Sequence, residues 1–178
     1  MRLVAITFPD FWLGEVEAVR YLLDGNFWRV HIRKPGASKE KIERLLDSIG
    51  ADYYSRLSLH DCFEIASERK ISGVHLNSRN PMAPADFKGL ISRSCHSLEE
   101  LPSSMKFDYQ FISPVFDSIS KPGYRSKFSP DQLKATPLNH FNVFALGGVT
   151  FASLQELEDM GFPGCAMMSE AWRGFRTK

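Results

Sequence analysis

The sequence predicts an α/β protein: a single, compact (β/α)₈ barrel of eight parallel strands with some shortened helices. Two observations carry this prediction. Short apolar runs alternate with stretches of helical spacing, and the unit recurs eight times along the chain. Strands that alternate with helices need crossover connections, which produce a parallel sheet. An open, doubly wound sheet has the same period and is the alternative.

The elements follow from the apolar pattern. Each strand-like run ends in a polar or Gly/Pro cluster, as strands do where they enter loops. The predicted strands lie in residues 3–9, 28–34, 56–61, 73–77, 91–96, 109–116, 142–148 and 164–169. Apolar positions three and four apart predict helices between them. These helices span residues 14–23, 38–49, 62–69 and 150–160, with Ser38 and Thr150 as N-caps. Residues 81–89 and 171–178 are where helices should be short or missing.

Composition limits the function classes. The 178 residues are 43% apolar and 24% charged, with a formal net charge of +1, which predicts one domain over residues 1–178. This balance argues against a disordered chain and a strongly basic nucleic-acid binder. Three distant cysteines argue against a disulfide framework or a zinc site and favour the cytoplasm. Neither a secretion signal nor a membrane span is expected. A homo-oligomer stays open.

Polar side chains alternate with apolar ones along strands two to five. The pairs that share a face are His31 and Arg33, Ser58 and His60, His75 and Asn77, and Ser94 and His96. If the apolar members face the helices, the polar members point into the barrel, where burial is costly without a partner or a ligand. The pattern favours a site at the carboxyl ends of the strands over a satisfied polar core layer.

Two further segments indicate phosphate binding. The seventh run stops at Gly147 and Gly148, whose N–H groups an anion can approach without a Cβ in the way, and Ser169 follows the eighth run. Barrels of this class often bind phosphate between these two loops. An ordinary tight turn is the alternative for the two glycines. The loop after the sixth run carries Lys121, which can donate to phosphate oxygens. A solvated surface charge is the alternative for this lysine.

The ordered motifs resemble those of the thiamine-phosphate synthase/TenI family. The segments that carry the resemblance are His31-Ile-Arg-Lys, Leu59-His-Asp, Gly73-Val-His-Leu, Ser94-Cys-His, Ser113-Pro-Val-Phe-Asp-Ser-Ile-Ser-Lys, Ala145-Leu-Gly-Gly-Val-Thr and Met167-Met-Ser. They cover nearly the whole chain. The resemblance implies a cytoplasmic transferase in thiamine biosynthesis that joins 4-amino-2-methyl-5-pyrimidinylmethyl diphosphate to a thiazole phosphate carboxylate. Pyrophosphate and carbon dioxide are released.

The resemblance also assigns roles to residues. Arg33, Ser94 and Lys121 are expected to contact the pyrophosphate, Asp61 and Asn80 to bind Mg²⁺, and His31, Lys34 and His60 to bind substrate. On the thiazole phosphate side the expected residues are Ser118, Ser120, Gly147, Gly148, Met168 and Ser169. Mg²⁺ is the implied cofactor, and the partners are these two small molecules, with no nucleic acid and no membrane.

Three departures from the family pattern keep alternatives open. Asn80 stands where the synthases have a second metal-binding Asp, and an amide binds Mg²⁺ more weakly than a carboxylate. Pro35 replaces a lysine, and strand alternation directs Lys34 away from Arg33 unless the loop turns it back. Pro114 stands where the TenI tautomerase has its catalytic histidine. The alternatives are a thiazole phosphate tautomerase, a non-catalytic thiazole or thiamine phosphate-binding protein, or an unrelated phosphosugar isomerase.

Overall fold

The computed structural model describes residues 1–102, 106–117 and 125–175. Its strands form a closed parallel barrel in which each strand pairs with the next along the chain and β8 closes on β1. The strands are β1 Arg2–Ile6, β2 Phe27–Ile32, β3 Leu57–Leu59, β4 Gly73–Leu76, β5 Leu90–Cys95, β6 Tyr109–Ile112, β7 Val143–Ala145 and β8 Gly164–Met167. The predicted barrel is confirmed in all eight strands. The open-sheet alternative is wrong because β1 and β8 are paired.

The helices lie outside the barrel. They are α1 Glu15–Asp24, α2 Lys39–Ile49, α3 Phe63–Glu68, α4 Pro130–Ala135 and α5 Leu154–Asp159. The four predicted helices are present, and α5 is preceded by a 3₁₀ turn at Phe151–Ser153. The sequence reasoning missed α4, which Ser129 caps by accepting a hydrogen bond from the Gln132 N–H at 3.2 Å. As expected, β4 connects to β5 without a helix, and the described residues after β8 form only a 3₁₀ turn, Glu170–Trp172.

Two apolar clusters hold the barrel together. The larger one lies between the strands and the helices, where alternate strand residues such as Val30, Leu59 and Val74 are buried. The smaller one fills the barrel interior with the side chains of Val4, Ile6, Tyr109, Phe111, Phe144 and Ala166. The interior leaves no room at Gly164, because a Cβ there would lie 2.5 Å from the Phe144 ring. The apolar filling leaves one end of the interior to polar groups.

The predicted polar lining is present. Of the predicted positions, His31, Ser58 and His75 are buried, at 0–2% exposure, and so is Ser92, which the sequence reasoning did not single out. Burial at this level requires hydrogen-bond partners, and each of the four has one. No helix in the described ranges is long and apolar enough to span a bilayer.

Candidate active site at the carboxyl end of the barrel

A cavity of about 530 Å³ opens at the carboxyl ends of the strands. Its lining includes Arg33, His60, Asn77, Arg79, Ser94, His96, Phe107, Phe111, Leu146 and Met168. Arg33 follows β2, whereas Leu146 and Met168 follow β7 and β8, which lie beyond β1 in the closed barrel. The cationic side and the glycine side therefore open onto the same end of the molecule, where barrel enzymes keep their sites.

A chain of hydrogen bonds forms the polar floor of the cavity. The Tyr109 hydroxyl lies 2.6 Å from Nε2 of His31, and Nδ1 of His31 lies 2.9 Å from Nε2 of His60. Behind Tyr109, its hydroxyl lies 3.4 Å from the Ser58 hydroxyl, which in turn accepts a hydrogen bond from the Arg29 guanidinium at 3.3 Å. Four side chains, those of Ser58, Tyr109, His31 and His60, thus connect the buried Arg29 to the cavity.

We assign the direction of donation along these hydrogen bonds from the buried end. A guanidinium can only donate, so Ser58 accepts from Arg29, and we assign the Ser58 proton to its bond with Tyr109. Tyr109 then donates to Nε2 of His31, which leaves the His31 proton on Nδ1, donating to Nε2 of His60. The remaining His60 proton is on Nδ1. His60 therefore presents an N–H donor at the cavity.

Both of these histidines are neutral. Burial lowers the pKa of His31 and of His60 well below 6.5, and the neighbouring His75 lowers both further. Arg29 adds to the effect on His31, and Arg33 and Arg79 add to it on His60. A neutral imidazole can donate through one nitrogen only, so the order of donors described above is retained at neutral pH.

His75 completes the cluster from β4. Its ring stacks on that of His60 at a centroid distance of 4.2 Å, and its nitrogens pair with Ser92 at 2.9 Å and Ser94 at 3.0 Å. Nitrogens of His31, His60 and His75 lie within 4.8 Å of one another, a spacing that could hold a metal ion. Both nitrogens of His31 and of His75, and Nε2 of His60, already have hydrogen-bond partners, and the field of the nearby arginines disfavours a cation. The cluster is better suited to an anionic ligand.

The structure separates the two basic residues that follow β2. Arg33 lines the cavity, and its backbone is fixed by Thr7, whose hydroxyl accepts from the Arg33 N–H at 2.8 Å. Lys34 points the other way, is fully buried, and binds the Glu15 carboxylate at 2.5 Å. The Phe8 carbonyl also accepts from it at 2.9 Å. The expectation that Lys34 contacts substrate is therefore corrected: the loop does not turn its ammonium back toward the cavity.

Asp61 and Asn80 lie close together, as expected for two ligands of one metal ion. Their side chains, however, form hydrogen bonds with protein groups. The Arg79 guanidinium donates to both carboxylate oxygens of Asp61, at 3.0 and 3.3 Å. The Asn80 amide nitrogen donates to Asp61 at 3.2 Å and to the His60 carbonyl at 3.1 Å. Sequence reasoning missed Arg79, because a loop residue with no periodic pattern gives no signal of where its side chain lies.

The two glycines form a turn that contacts the loop after β6. Gly147 and Gly148 have φ values of +91° and +68°, a region that favours glycine. A Cβ on Gly147 would lie 2.8 Å from Pro114, and the Gly147 carbonyl accepts from the Phe116 N–H at 3.0 Å. No described residue accepts a hydrogen bond from the N–H of either glycine. Exposed Ser169 begins the turn after β8, next to Met168 in the cavity wall.

Three of the expected site residues, Ser118, Ser120 and Lys121, lie outside the described residues. The structure adds Tyr109 and Arg29, which the sequence reasoning did not place in the site. Tyr109 had a detectable signal, since it alternates with Phe111 along the sixth run. Arg29 had none, because its partners Ser58 and Ser72 lie 29 and 43 residues later in the chain.

Comparisons with known proteins identify the family and support the fold. Residues 5–171 match the family model described as thiamine monophosphate synthase. The thiamine-phosphate synthase of Latilactobacillus sakei is 30% identical over 126 residues, which are 66% of this chain and 56% of that protein. The thiamine-phosphate synthase of Caldivirga maquilingensis is 26% identical over 171 residues, 88% of this chain and 80% of that protein. A relative in Geobacter sulfurreducens is 35% identical.

The alignment covers 56% of the Latilactobacillus sakei protein and 62% of the Geobacter sulfurreducens protein. The chain therefore spans less than two thirds of the length of each. Among solved structures, the thiamine phosphate pyrophosphorylase from Bacteroides thetaiotaomicron has a TM-score of 0.87 and 32% sequence identity. That match covers 99% of this chain and 87% of the other.

Proposed function

Since the chain belongs to the thiamine monophosphate synthase family, we propose that it is a transferase that makes thiamine phosphate. Its substrates are 4-amino-2-methyl-5-pyrimidinylmethyl diphosphate and a thiazole phosphate carboxylate. The bond between the pyrimidinylmethyl carbon and the diphosphate oxygen breaks, and the electron pair leaves with pyrophosphate. The thiazole nitrogen then forms a bond to that carbon. The carboxylate leaves as carbon dioxide, and the electron pair of the broken carbon–carbon bond takes up a proton from solvent.

The observation that carries this proposal is the pair of anion-binding regions on one cavity. Arg33 and Arg79 line the cavity, and the turn of Gly147 and Gly148 directly follows the lining residue Leu146. A synthase needs both, because one substrate leaves a diphosphate and the other carries a phosphate. Phosphate oxygens are the ligands that guanidinium groups and free backbone N–H groups bind best.

The cavity walls suit a reaction that passes through a carbocation. Phe111, Leu146 and Met168 are apolar parts of the lining, and they keep water from capturing the pyrimidinylmethyl cation before the thiazole does. The guanidinium of Arg33 stabilises the charge that develops on the leaving group. His60 donates its Nδ1 proton as a hydrogen bond to an acceptor atom of the pyrimidine diphosphate. No nucleophilic side chain is required.

On the thiazole side, the phosphate is bound by backbone donors. The N–H groups of Gly147 and Gly148 and the hydroxyl of Ser169 hold its oxygens, and Met168 contacts the ring. Positive φ at both glycines supports this role, since it turns successive N–H groups outward from the strand. Ser94, whose hydroxyl is 3.0 Å from His75, contributes a donor on the diphosphate side.

Mg²⁺, which the family resemblance implies, does not fit the donors present. Both oxygens of the Asp61 carboxylate are bonded to Arg79, and Asn80 turns its amide nitrogen, a donor, toward Asp61. Flipping that amide would place its oxygen against the His60 carbonyl and the Asp61 carboxylate, two acceptors. A Mg²⁺ site requires oxygen ligands that are free to bind. No step of the proposed reaction is therefore assigned to a metal ion.

A second candidate function is thiazole phosphate tautomerisation. It is favoured by the chain from Tyr109 through His31 to His60, which ends in a proton-bearing nitrogen at the cavity. The reaction moves a proton between two positions of the thiazole carboxylate, so one group at hydrogen-bond distance would suffice. Pro114 cannot supply that group, which leaves His60 or His96, both of which line the cavity, for the role.

The deciding experiment incubates the purified protein with both substrates and follows thiamine phosphate and pyrophosphate by chromatography. One arm contains Mg²⁺ and the other EDTA. We expect both products in equal amounts, and we expect Arg33→Ala to lower kcat/KM about 100-fold because a donor to the leaving group is lost. Arg44→Ala, which changes an exposed arginine on α2, is the matched control and should leave the rate unchanged.

Absence of both products in both arms would reject the synthase. Interconversion of thiazole carboxylate isomers without thiamine phosphate would instead establish the tautomerase. Saturable binding of thiazole phosphate without either reaction would establish a binding protein.

A further inference from the structure

Arg79 is held at the cavity by its own loop. The side-chain oxygen of Asn77 accepts from the backbone N–H groups of Arg79 at 3.0 Å and Asn80 at 3.2 Å. The side-chain amide of Asn77 donates to the His60 carbonyl at 2.7 Å, which fixes the loop after β4 against the loop after β3. The position of the guanidinium is therefore set by backbone contacts as well as by Asp61.

The bond to Asp61 uses only part of the guanidinium. Nε and Nη2 of Arg79 face the carboxylate, and Nη1 donates to no described residue. A guanidinium carries five N–H groups, so at least two are left to bind an oxyanion on the cavity side. The Arg79 side chain is 47% exposed and Asp61 only 13%, so the accessible end of the pair is the cation.

The charges around the cavity require an anion. None of the cavity-lining residues in the described ranges is acidic, whereas Arg33 and Arg79 both act on His60 electrostatically. Arg93, a third lining arginine, is already bound to Gln110 at 2.8 Å and stacks on Phe107. Two guanidinium groups therefore remain to face a ligand with two or more negative charges.

We infer that Arg79, positioned by Asp61, replaces the divalent metal ion in holding a diphosphate at this cavity, so that binding needs no Mg²⁺. The carboxylate–guanidinium–diphosphate arrangement puts a fixed cation where a carboxylate–metal–diphosphate arrangement would put an ion. Arg79 is a binding residue and Asp61 a positioning residue. This inference rests on the proposed function for the identity of the diphosphate ligand.

The test measures binding of inorganic pyrophosphate by isothermal titration calorimetry, first in EDTA and then with Mg²⁺. The wild-type protein should bind in EDTA, and Mg²⁺ should not tighten binding. Arg79→Ala should weaken binding in EDTA about tenfold or more, which is the usual loss for a charge-assisted pair. Arg69→Ala removes an arginine that is bound to Glu43 at 3.5 Å and to Asp47, and it should change nothing.

A double variant makes the inference sharper. Arg79→Ala combined with Asn80→Asp frees Asp61 and adds a second carboxylate beside it, which are the ligands that Mg²⁺ needs. Pyrophosphate binding by this variant should recover with Mg²⁺ and be lost in EDTA. Circular dichroism and thermal melting would verify that each variant is folded, as expected for a change at a half-exposed side chain.

The inference is overturned if wild-type protein binds pyrophosphate only with Mg²⁺, does not bind it at all, or binds it equally well after Arg79→Ala. These outcomes are separate from those of the proposed function. Metal-independent pyrophosphate binding without thiamine phosphate formation would keep the inference and reject the synthase. If thiamine phosphate formation requires Mg²⁺ and is unaffected by Arg79→Ala, the synthase is supported and the inference about Arg79 is rejected.

Discussion

Nδ1 of His31 lies 2.9 Å from Nε2 of His60, so one buried imidazole donates to another at the floor of the cavity. We assign His31 as the donor, with its other nitrogen accepting from the Tyr109 hydroxyl at 2.6 Å. Both rings therefore carry their proton on Nδ1. With its proton on Nδ1, His60 offers an N–H donor to the ligand. It therefore favours a ligand atom that accepts a hydrogen bond over one that donates.

Tyr109→Phe should disturb this order without removing a ring. His31 would lose the donor to its Nε2 atom, and both histidines would then exchange between tautomers. Nitrogen-15 NMR of the imidazoles measures this directly: wild type should show the Nδ1–H form of His31 and His60, and the variant a mixture. Tyr53→Phe, which removes an exposed hydroxyl bound to Asp24 at 3.0 Å, is the control. An Nε2–H form of His60 in wild type would refute the assignment.

The buried histidines should make the protein sensitive to acid. Burial lowers the pKa of His75 to about 3, whereas an unfolded histidine titrates near 6.5. Between these values the unfolded state binds a proton that the folded state does not. Stability is therefore complete above pH 6.5 and falls as the pH drops, by about 1.4 kcal/mol per pH unit for each such histidine.

His75→Asn should remove one histidine from this dependence. The free energy of unfolding, measured with urea between pH 6 and pH 4, should fall less steeply in the variant than in wild type. The difference in slope should be about the contribution of one histidine. His140→Asn, at an exposed position, should leave the slope unchanged. Equal slopes in wild type and His75→Asn would show that His75 is not buried in its neutral form.

The pair of Lys34 and Glu15 should be strongly coupled. The two side chains are 0% and 3% exposed, and burial raises the pKa of Glu15 against the opposing effect of Lys34. Glu15→Gln leaves a buried ammonium without its counter-ion and should cost about 3 kcal/mol in urea unfolding. Glu15→Leu with Lys34→Met removes both charges and should cost less. A double variant less stable than Glu15→Gln would contradict the assignment of a buried ion pair.

Gly148 and Gly36 separate close packing from backbone conformation. Both have positive φ, +68° and +77°, so alanine costs about 1 kcal/mol at either position. At Gly148 the new Cβ would also lie 2.7 Å from Phe116, whereas no described atom lies within 4 Å at Gly36. Gly148→Ala should therefore lower the melting temperature more than Gly36→Ala and weaken thiazole phosphate binding as well. Equal effects of the two substitutions would argue against a role for the Gly148 turn.

The sequence was sufficient to predict the strands, because each one is an apolar run that ends in a polar cluster. Alternation also brought His31, His60 and His75 to one side of the sheet. It could not predict that Tyr109 and Arg29 fix their protons, because those bonds join residues up to 78 positions apart. Nor could it predict Arg79 or the direction of Lys34, because both depend on loop conformations that carry no periodic signal.

A crystal structure of the protein with thiamine phosphate and pyrophosphate would locate both anion-binding regions at once. We predict the thiamine phosphate group on the N–H groups of Gly147 and Gly148, and pyrophosphate on Arg33 and Arg79 in the same cavity. His60 should donate to one of these ligands. Ligands bound at the opposite end of the barrel, or phosphate groups that contact neither the glycine turn nor the two arginines, would contradict the account.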